Sequence, residues 1–144
     1  MKKNLFILNL AIVALLISCK STQVKSIEDK TVMGPRFAGY FTITQLGDKT
    51  LMTNRPTFNI DNQLRRIQGF AGCNTYNAAF TEGGGKLEIV APLATKKACA
   101  DGMDIEQKFT EALPKVNAFT IEKNILILFD KERNVLLKAK PTDI

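Results

Sequence analysis

One stretch of this chain carries a helical period, and every other patterned stretch alternates by two. In "DGMDIEQKFTEALPKV", residues 101–116, the apolar residues Ile105, Phe109, Ala112, Leu113 and Val116 fall on one stripe. The remaining positions are mostly charged or polar, the signature of a helix with one buried face. Asp101, with Asp104 three positions on, predicts the N-cap, and Pro114 marks the end. A lone stripe must be covered by strands, because no second helical segment exists to cover it. The pattern therefore predicts an α+β domain in which a curved, mostly antiparallel sheet wraps one helix. Strands and helices do not alternate along the chain, which excludes a doubly wound parallel fold.

The strands are read from their alternation. "RFAGYFTIT" sets Phe37, Gly39, Phe41 and Ile43 against Arg36, Ala38, Tyr40 and Thr42. A turn at Gly47-Asp48 follows, then "PTFNID", with Phe58 and Ile60 on one face. Asn62-Gln63 reads as a hairpin turn into "LRRIQGFA". "CNTYNAAF" places Tyr76, Ala78 and Phe80 together, and "EGGG" supplies a turn that tolerates positive φ before "KLEIV". "NAFTIE", "NILILFD" and "VLLKAK" complete the set, with "KERN" as the last turn. "ILILF" is apolar on both faces, which predicts a central or fully covered strand.

The N-terminus bears on where this domain works. Lys2 and Lys3 precede an apolar run from Leu5 to Ile17, too short for a comfortable bilayer span and suited to a secretory leader. The run ends in "LISC", which resembles a bacterial lipobox. The resemblance implies cleavage before Cys19, diacylglycerol on its sulfur and acylation of the new N-terminus. One acyl chain anchors only marginally, whereas several hold a protein on its membrane. We therefore expect a leader over residues 1–18, a flexible tether over 19–35 and a folded domain over 36–141. Lys20, rather than an aspartate, follows the cysteine, and no acidic run comes after it. The expected address is the cell envelope, at the periplasmic face of the outer membrane. The formal charge of +6 falls by two with Lys2 and Lys3, and the basic residues are not clustered. That argues against nucleic acid as a partner.

Three ordered motifs, "GFAGCNTY", "PLATKKAC" and an acidic helix containing "EQKFTEAL", resemble the META/HslJ-like domain of bacterial envelope proteins. The likeness runs from about Arg36 to Lys140. It implies a small cracked-barrel-like antiparallel sheet with one packed amphipathic helix. It also implies a role in stress tolerance, with no established catalytic activity. Members usually carry a tryptophan in the first strand, where Tyr40 or Phe41 stands here.

Once Cys19 is assigned to the lipid, Cys73 and Cys99 remain, 26 positions apart. In an oxidising compartment two cysteines most simply pair, and both lie beside residues of the family motifs. Two free, buried thiols are the alternative. A bridge closing such a loop is worth on the order of 3.5 kcal/mol. The chain has no histidine, so a Cys-His or Ser-His-Asp arrangement cannot form. Two thiols without imidazole do not suggest zinc, and the spacing is not C-x-x-C. We therefore assign no catalytic residue, metal or cofactor. Glu82, Asp101, Asp104 and Glu106 are acid–base candidates by elimination only.

The "GFAGCNTY" box reads first as architecture: glycines at a bend, Asn74 bonding to nearby backbone, and Cys73 fastening the bend to the helix entrance. The sharper reading makes Asn74, Thr75, Tyr76 and Asn77 a recognition site beside the "PLAT" loop. The function expected is a non-enzymatic, membrane-anchored envelope module that binds an envelope protein or a small ligand. The alternatives are a pilotin-like chaperone that shelters an acyl chain or partner helix, and a hydrolase built on carboxylates.

Overall fold

A computed structural model describes residues 36–142. The leader, Cys19 and the tether lie outside the described residues. The strands are β1 (Gly39–Leu46), β2 (Lys49–Thr50), β3 (Thr57–Asp61), β4 (Arg66–Phe70), β5 (Thr75–Gly83), β6 (Lys86–Ile89) and β7 (Leu93–Ala94). Helix α1 (Met103–Ala112) runs into a 3₁₀ turn (Leu113–Lys115), and β8 (Ala118–Glu122), β9 (Ile125–Phe129) and β10 (Val135–Pro141) follow. All pairings are antiparallel, in the order β6-β5-β4-β3-β1-β10-β9-β8; β2 joins β1 and β7 joins β5. The sheet curls until its two ends meet. The Leu87 amide donates to the Asn117 carbonyl at 2.8 Å across the seam between β6 and the start of β8. Among the described residues the result is the cracked barrel with one α-helix that the sequence pattern and the resemblance predicted.

The helical stripe is inside. Phe109 and Leu113 are 0% exposed, and Ile105, Ala112 and Val116 are buried with them. The Phe109 ring packs against Tyr76 at 5.1 Å between centroids and against Phe58 at 5.7 Å. A second aromatic group forms around Phe37, which lies just ahead of β1 and meets Phe80 at 5.1 Å and Phe119 at 5.2 Å. It joins β5 to β8 beside the seam. Burying these side chains supplies the main drive for closure, at about 25 cal/mol per Å² of apolar surface.

Four local expectations need adjustment. The first strand begins at Gly39 rather than Arg36, and Phe37 packs from the segment before it. The β3–β4 turn takes four residues, 62–65, with Arg65 at positive φ. β9 is central in its pairing, between β8 and β10, but only Leu126 and Leu128 are fully buried. Its outer face is half-covered, in part by the Arg133 guanidinium 5.1 Å above the Phe129 ring. The helix N-cap is Gly102, not Asp101, and no side chain caps it.

The reason for that last difference is packing. Gly102 has φ +90° and Gly72 has φ +121°, and the two backbones press together. A Cβ on Gly102 would overlap the Gly72 carbonyl, and one on Gly72 would crowd the Gly102 carbonyl and Ile105. Both positions need glycine for its left-handed freedom and for its lack of a side chain. This tertiary contact overrides the local capping signal.

Candidate functional site

The bend between β4 and β5 is fastened to the helix entrance at three points. The first is the glycine pair. The second is a disulfide between Cys73 and Cys99, with Cα atoms 5.9 Å apart. The third is Asn74, the one buried polar residue among those described, at 4% exposure.

Every polar atom of Asn74 is used. Its backbone N–H donates to Glu106 Oε2 at 2.6 Å, and its Nδ2 donates to Glu106 Oε1 at 3.1 Å. The same Nδ2 donates to the Lys97 carbonyl at 3.1 Å and lies 3.4 Å from Cys73 Sγ. Oδ1 accepts from the Thr95 hydroxyl at 2.9 Å and from the Lys97 N–H at 2.8 Å. The backbone carbonyl accepts from the Ala71 N–H at 2.7 Å. Asn74 therefore ties the box, the "PLATKKAC" segment and the helix together through one side chain. An ionised Glu106 makes its two bonds charge-assisted, the stronger class.

The four residues grouped as a candidate recognition site divide by the pleat of β5. Asn74 and Tyr76 point inward. Tyr76 is 4% exposed, and its hydroxyl donates to the Thr57 carbonyl at 2.9 Å. Burial raises its phenol well above the usual value of 10.0. Gly69 makes the Tyr76–Thr57 bond possible, because a Cβ there would overlap the Thr57 carbonyl. Thr75 and Asn77 point outward. They border a shallow open groove with Asn59, Gln68, Leu93 and Thr95. Part of the "PLAT" loop proves to be strand β7, pairing Leu93 with Asn77 and Ala94 with Tyr76, so it walls the groove.

Of the acidic candidates, Asp101, Asp104 and Glu106 gather at the helix entrance and Glu82 lies apart from them on β5. Glu106 is engaged by Asn74. Glu82 accepts from Asn62 Nδ2 at 3.0 Å and faces Arg65 Nη1 at 3.5 Å. Asp104 lies 3.6 Å from Lys49 Nζ, with both side chains mostly in solvent. Asp101 and Asp104 share the rim of an open polar hollow with Lys49 and Asn54. The helix stripe that a sheltering chaperone would open is closed by the core. Open hollows border it: one edged by Leu46, Leu136 and the charged Lys108, Glu111 and Lys115, and another where Val116 meets Ile89, Val90 and the charged Asp130, Lys131 and Glu132.

Sequence reasoning missed two things here. One is Glu106 as the partner of Asn74, a contact between positions 32 apart. The other is the role of Asn59 and Gln68 beside Asn77. Their spacing of nine residues along successive strands was the available signal.

Comparison with known proteins agrees with this geometry. The sequence profile described as "META domain" matches residues 36–143. Among proteins with curated descriptions, none is detectably similar. A solved NMR structure of a protein from Burkholderia xenovorans is similar at 18% identity with a TM-score of 0.59, over 74% of this chain and 83% of that one. A second NMR structure is similar at 19% identity and a TM-score of 0.55, over 71% of this chain and 87% of the other. Both likenesses concern the fold.

Proposed function

The chain belongs to the META domain family, and from that premise we propose a lipid-anchored, non-enzymatic binding module of the cell envelope. Its anchor is acylated Cys19, its address is the periplasmic face of the outer membrane, and its role lies in stress tolerance or envelope maintenance. It acts by holding an envelope protein or small ligand on a rigid, disulfide-fastened domain.

One observation carries the binding-module reading: the motif residues with reactive side chains are engaged with one another. Cys73 is bonded to Cys99, and Asn74 and Glu106 satisfy each other. No nucleophile–base pair is left over from the box, and general acid–base work needs such groups free to meet a substrate. What the box offers outward is the groove behind Thr75 and Asn77. A chaperone role finds less support, because Ile105, Phe109 and Leu113 are buried in the core.

The test is fractionation combined with crosslinking in cells. The native protein should sediment with outer-membrane vesicles, and Cys19→Ala should be released to the soluble fraction. A photo-crosslinker at Thr75 should capture a defined envelope component, while one at Lys123, on an exposed turn, should not. An anchored protein that yields no adduct at Thr75 and hydrolyses an ester or peptide probe would reverse the reading.

A further inference from the structure

The outer face of the sheet carries a row that strand register alone defines. Tyr40 on β1 stands opposite Asn59 on β3, Asn59 opposite Gln68 on β4, Gln68 opposite Asn77 on β5, and Asn77 opposite Leu93 on β7. Five neighbouring strands thus present three carboxamides in a line, with an aromatic at one end and an aliphatic at the other. At ordinary interstrand spacing the row is about 19 Å long. Tyr40 is 49% exposed and Leu93 73%. Among the described residues, no hydrogen bond links the Asn59, Gln68 or Asn77 side chain to another protein group.

We propose that this row is a binding site for a neutral, polyhydroxylated ligand, a short oligosaccharide segment laid across the strands. The proposal rests on the binding-module reading and gives it a ligand class. Three features select that chemistry. Each carboxamide offers two N–H donors and an acceptor oxygen side by side, which matches hydroxyl groups that both donate and accept. No ionisable side chain other than the inward-facing, hydrogen-bonded Tyr76 lines the groove, although the chain carries a formal charge of +6. Within the groove an anionic ligand meets no cation and a cationic ligand no carboxylate; the charges on the same face beside it, Asp61 and Arg66, stand opposite each other across β3 and β4 and offset one another. Finally, the apolar groups stand at the two ends, separated by amides. A protein interface would instead concentrate them into a desolvated centre, while a sugar ring has an apolar face suited to lie on Tyr40.

The row is also rigid. Its members sit on paired strands, and the Cys73–Cys99 bridge and Asn74 hold the β5–β7 end. A ligand therefore meets a surface that needs little ordering, which lowers the entropic cost of binding.

The experiment titrates the mature, lipidated protein in a non-glycosidic detergent with chitotetraose, maltotetraose and cellotetraose, and with polygalacturonate as the acidic comparison. Binding is read by calorimetry and by amide chemical shifts. At least one neutral tetrasaccharide should bind at millimolar affinity or tighter, shifting the amides of Asn59, Gln68 and Asn77. A Q68A/N77A double variant changes two exposed positions and should melt like the parent. It should bind about tenfold more weakly, as expected for two lost hydrogen bonds. No binding of any neutral sugar overturns the proposal, as does undiminished binding by the double variant or a preference for polygalacturonate. Those failures leave the membrane anchor and the Thr75 crosslink standing. A soluble, unlipidated protein that still binds sugar refutes the tether and spares the row.

Discussion

Replacing Asn74 by alanine or by aspartate separates two parts of the clasp that holds the motif box to the helix. The Asn74 side chain makes four hydrogen bonds between 2.8 and 3.1 Å, with Glu106, Lys97 twice and Thr95. Each is worth about 1 kcal/mol net, more when the partner is charged. Thr95 and Lys97 lie at the surface and regain water when the amide is removed, which trims the loss. Asn74→Ala should therefore cost about 3 kcal/mol. For a domain of this size that lowers Tm by about 10–20 °C. Asn74→Asp keeps the Oδ1 acceptor for Thr95 and Lys97. It also replaces the Nδ2 donor by an anionic oxygen facing the Glu106 carboxylate and the Lys97 carbonyl. Two like charges about 4 Å apart repel by roughly 4 kcal/mol at the effective dielectric of a partly buried site. At pH 7 the aspartate variant should be the less stable of the two, although it is nearly isosteric with the parent. The repulsion raises the new carboxyl above its unfolded value near 3.9, so the penalty opens as pH rises past about 4 and closes below it. Thermal melts by circular dichroism, with the disulfide intact, at pH 4 and pH 7 read both effects. An alanine variant melting within about 3 °C of the parent, or an aspartate variant as stable as the parent at pH 7, would refute the clasp.

Three further outcomes follow from the same geometry. Gly102→Ala must displace the Gly72 carbonyl and strain a φ of +90°; we expect a loss of about 2–3 kcal/mol, against almost none for Lys108→Ala on the helix surface, both from denaturant midpoints. Cys73→Ser with Cys99→Ser should lower stability by up to about 3.5 kcal/mol and abolish the dependence of Tm on reductant; an unchanged Tm on reduction of the parent would mean the bridge does not hold the bend. The raised phenol of Tyr76 binds its proton more tightly in the folded state, so stability should fall as pH climbs above about 10. Tyr76→Phe should remove that alkaline component while losing about 1 kcal/mol at pH 7 with the bond to Thr57, measured by urea unfolding across the pH range.

The helix and most strands were legible because burial dictates their periods. Ile105, Phe109 and Leu113 had only one place to go, and Tyr76, Ala78 and Phe80 had to share the inner face. The box was legible as architecture for a similar reason: glycines, an asparagine and a cysteine together suit a bend. Its fastening was not. Gly102 displaced Asp101 as N-cap because of Gly72, thirty positions earlier, and Glu106 was consumed by Asn74. Such contacts depend on which loop the fold brings to the helix, information that no local window contains. The outward row needs even more, since Asn59, Gln68 and Asn77 align only after the turn at 62–65 and the bend before Thr75 have set the register. A shift of one residue would have turned any of them into the core.

The central claim, a disulfide-fastened domain tethered through Cys19, is tested most directly by intact-mass spectrometry of the protein purified from its native membrane, with thiol alkylation before and after reduction. The account predicts loss of residues 1–18, added acyl mass on the new N-terminus, and Cys73 and Cys99 alkylated only after reduction. An unlipidated mass with both thiols alkylated in the unreduced protein would contradict it and return Cys73 to the list of reactive groups.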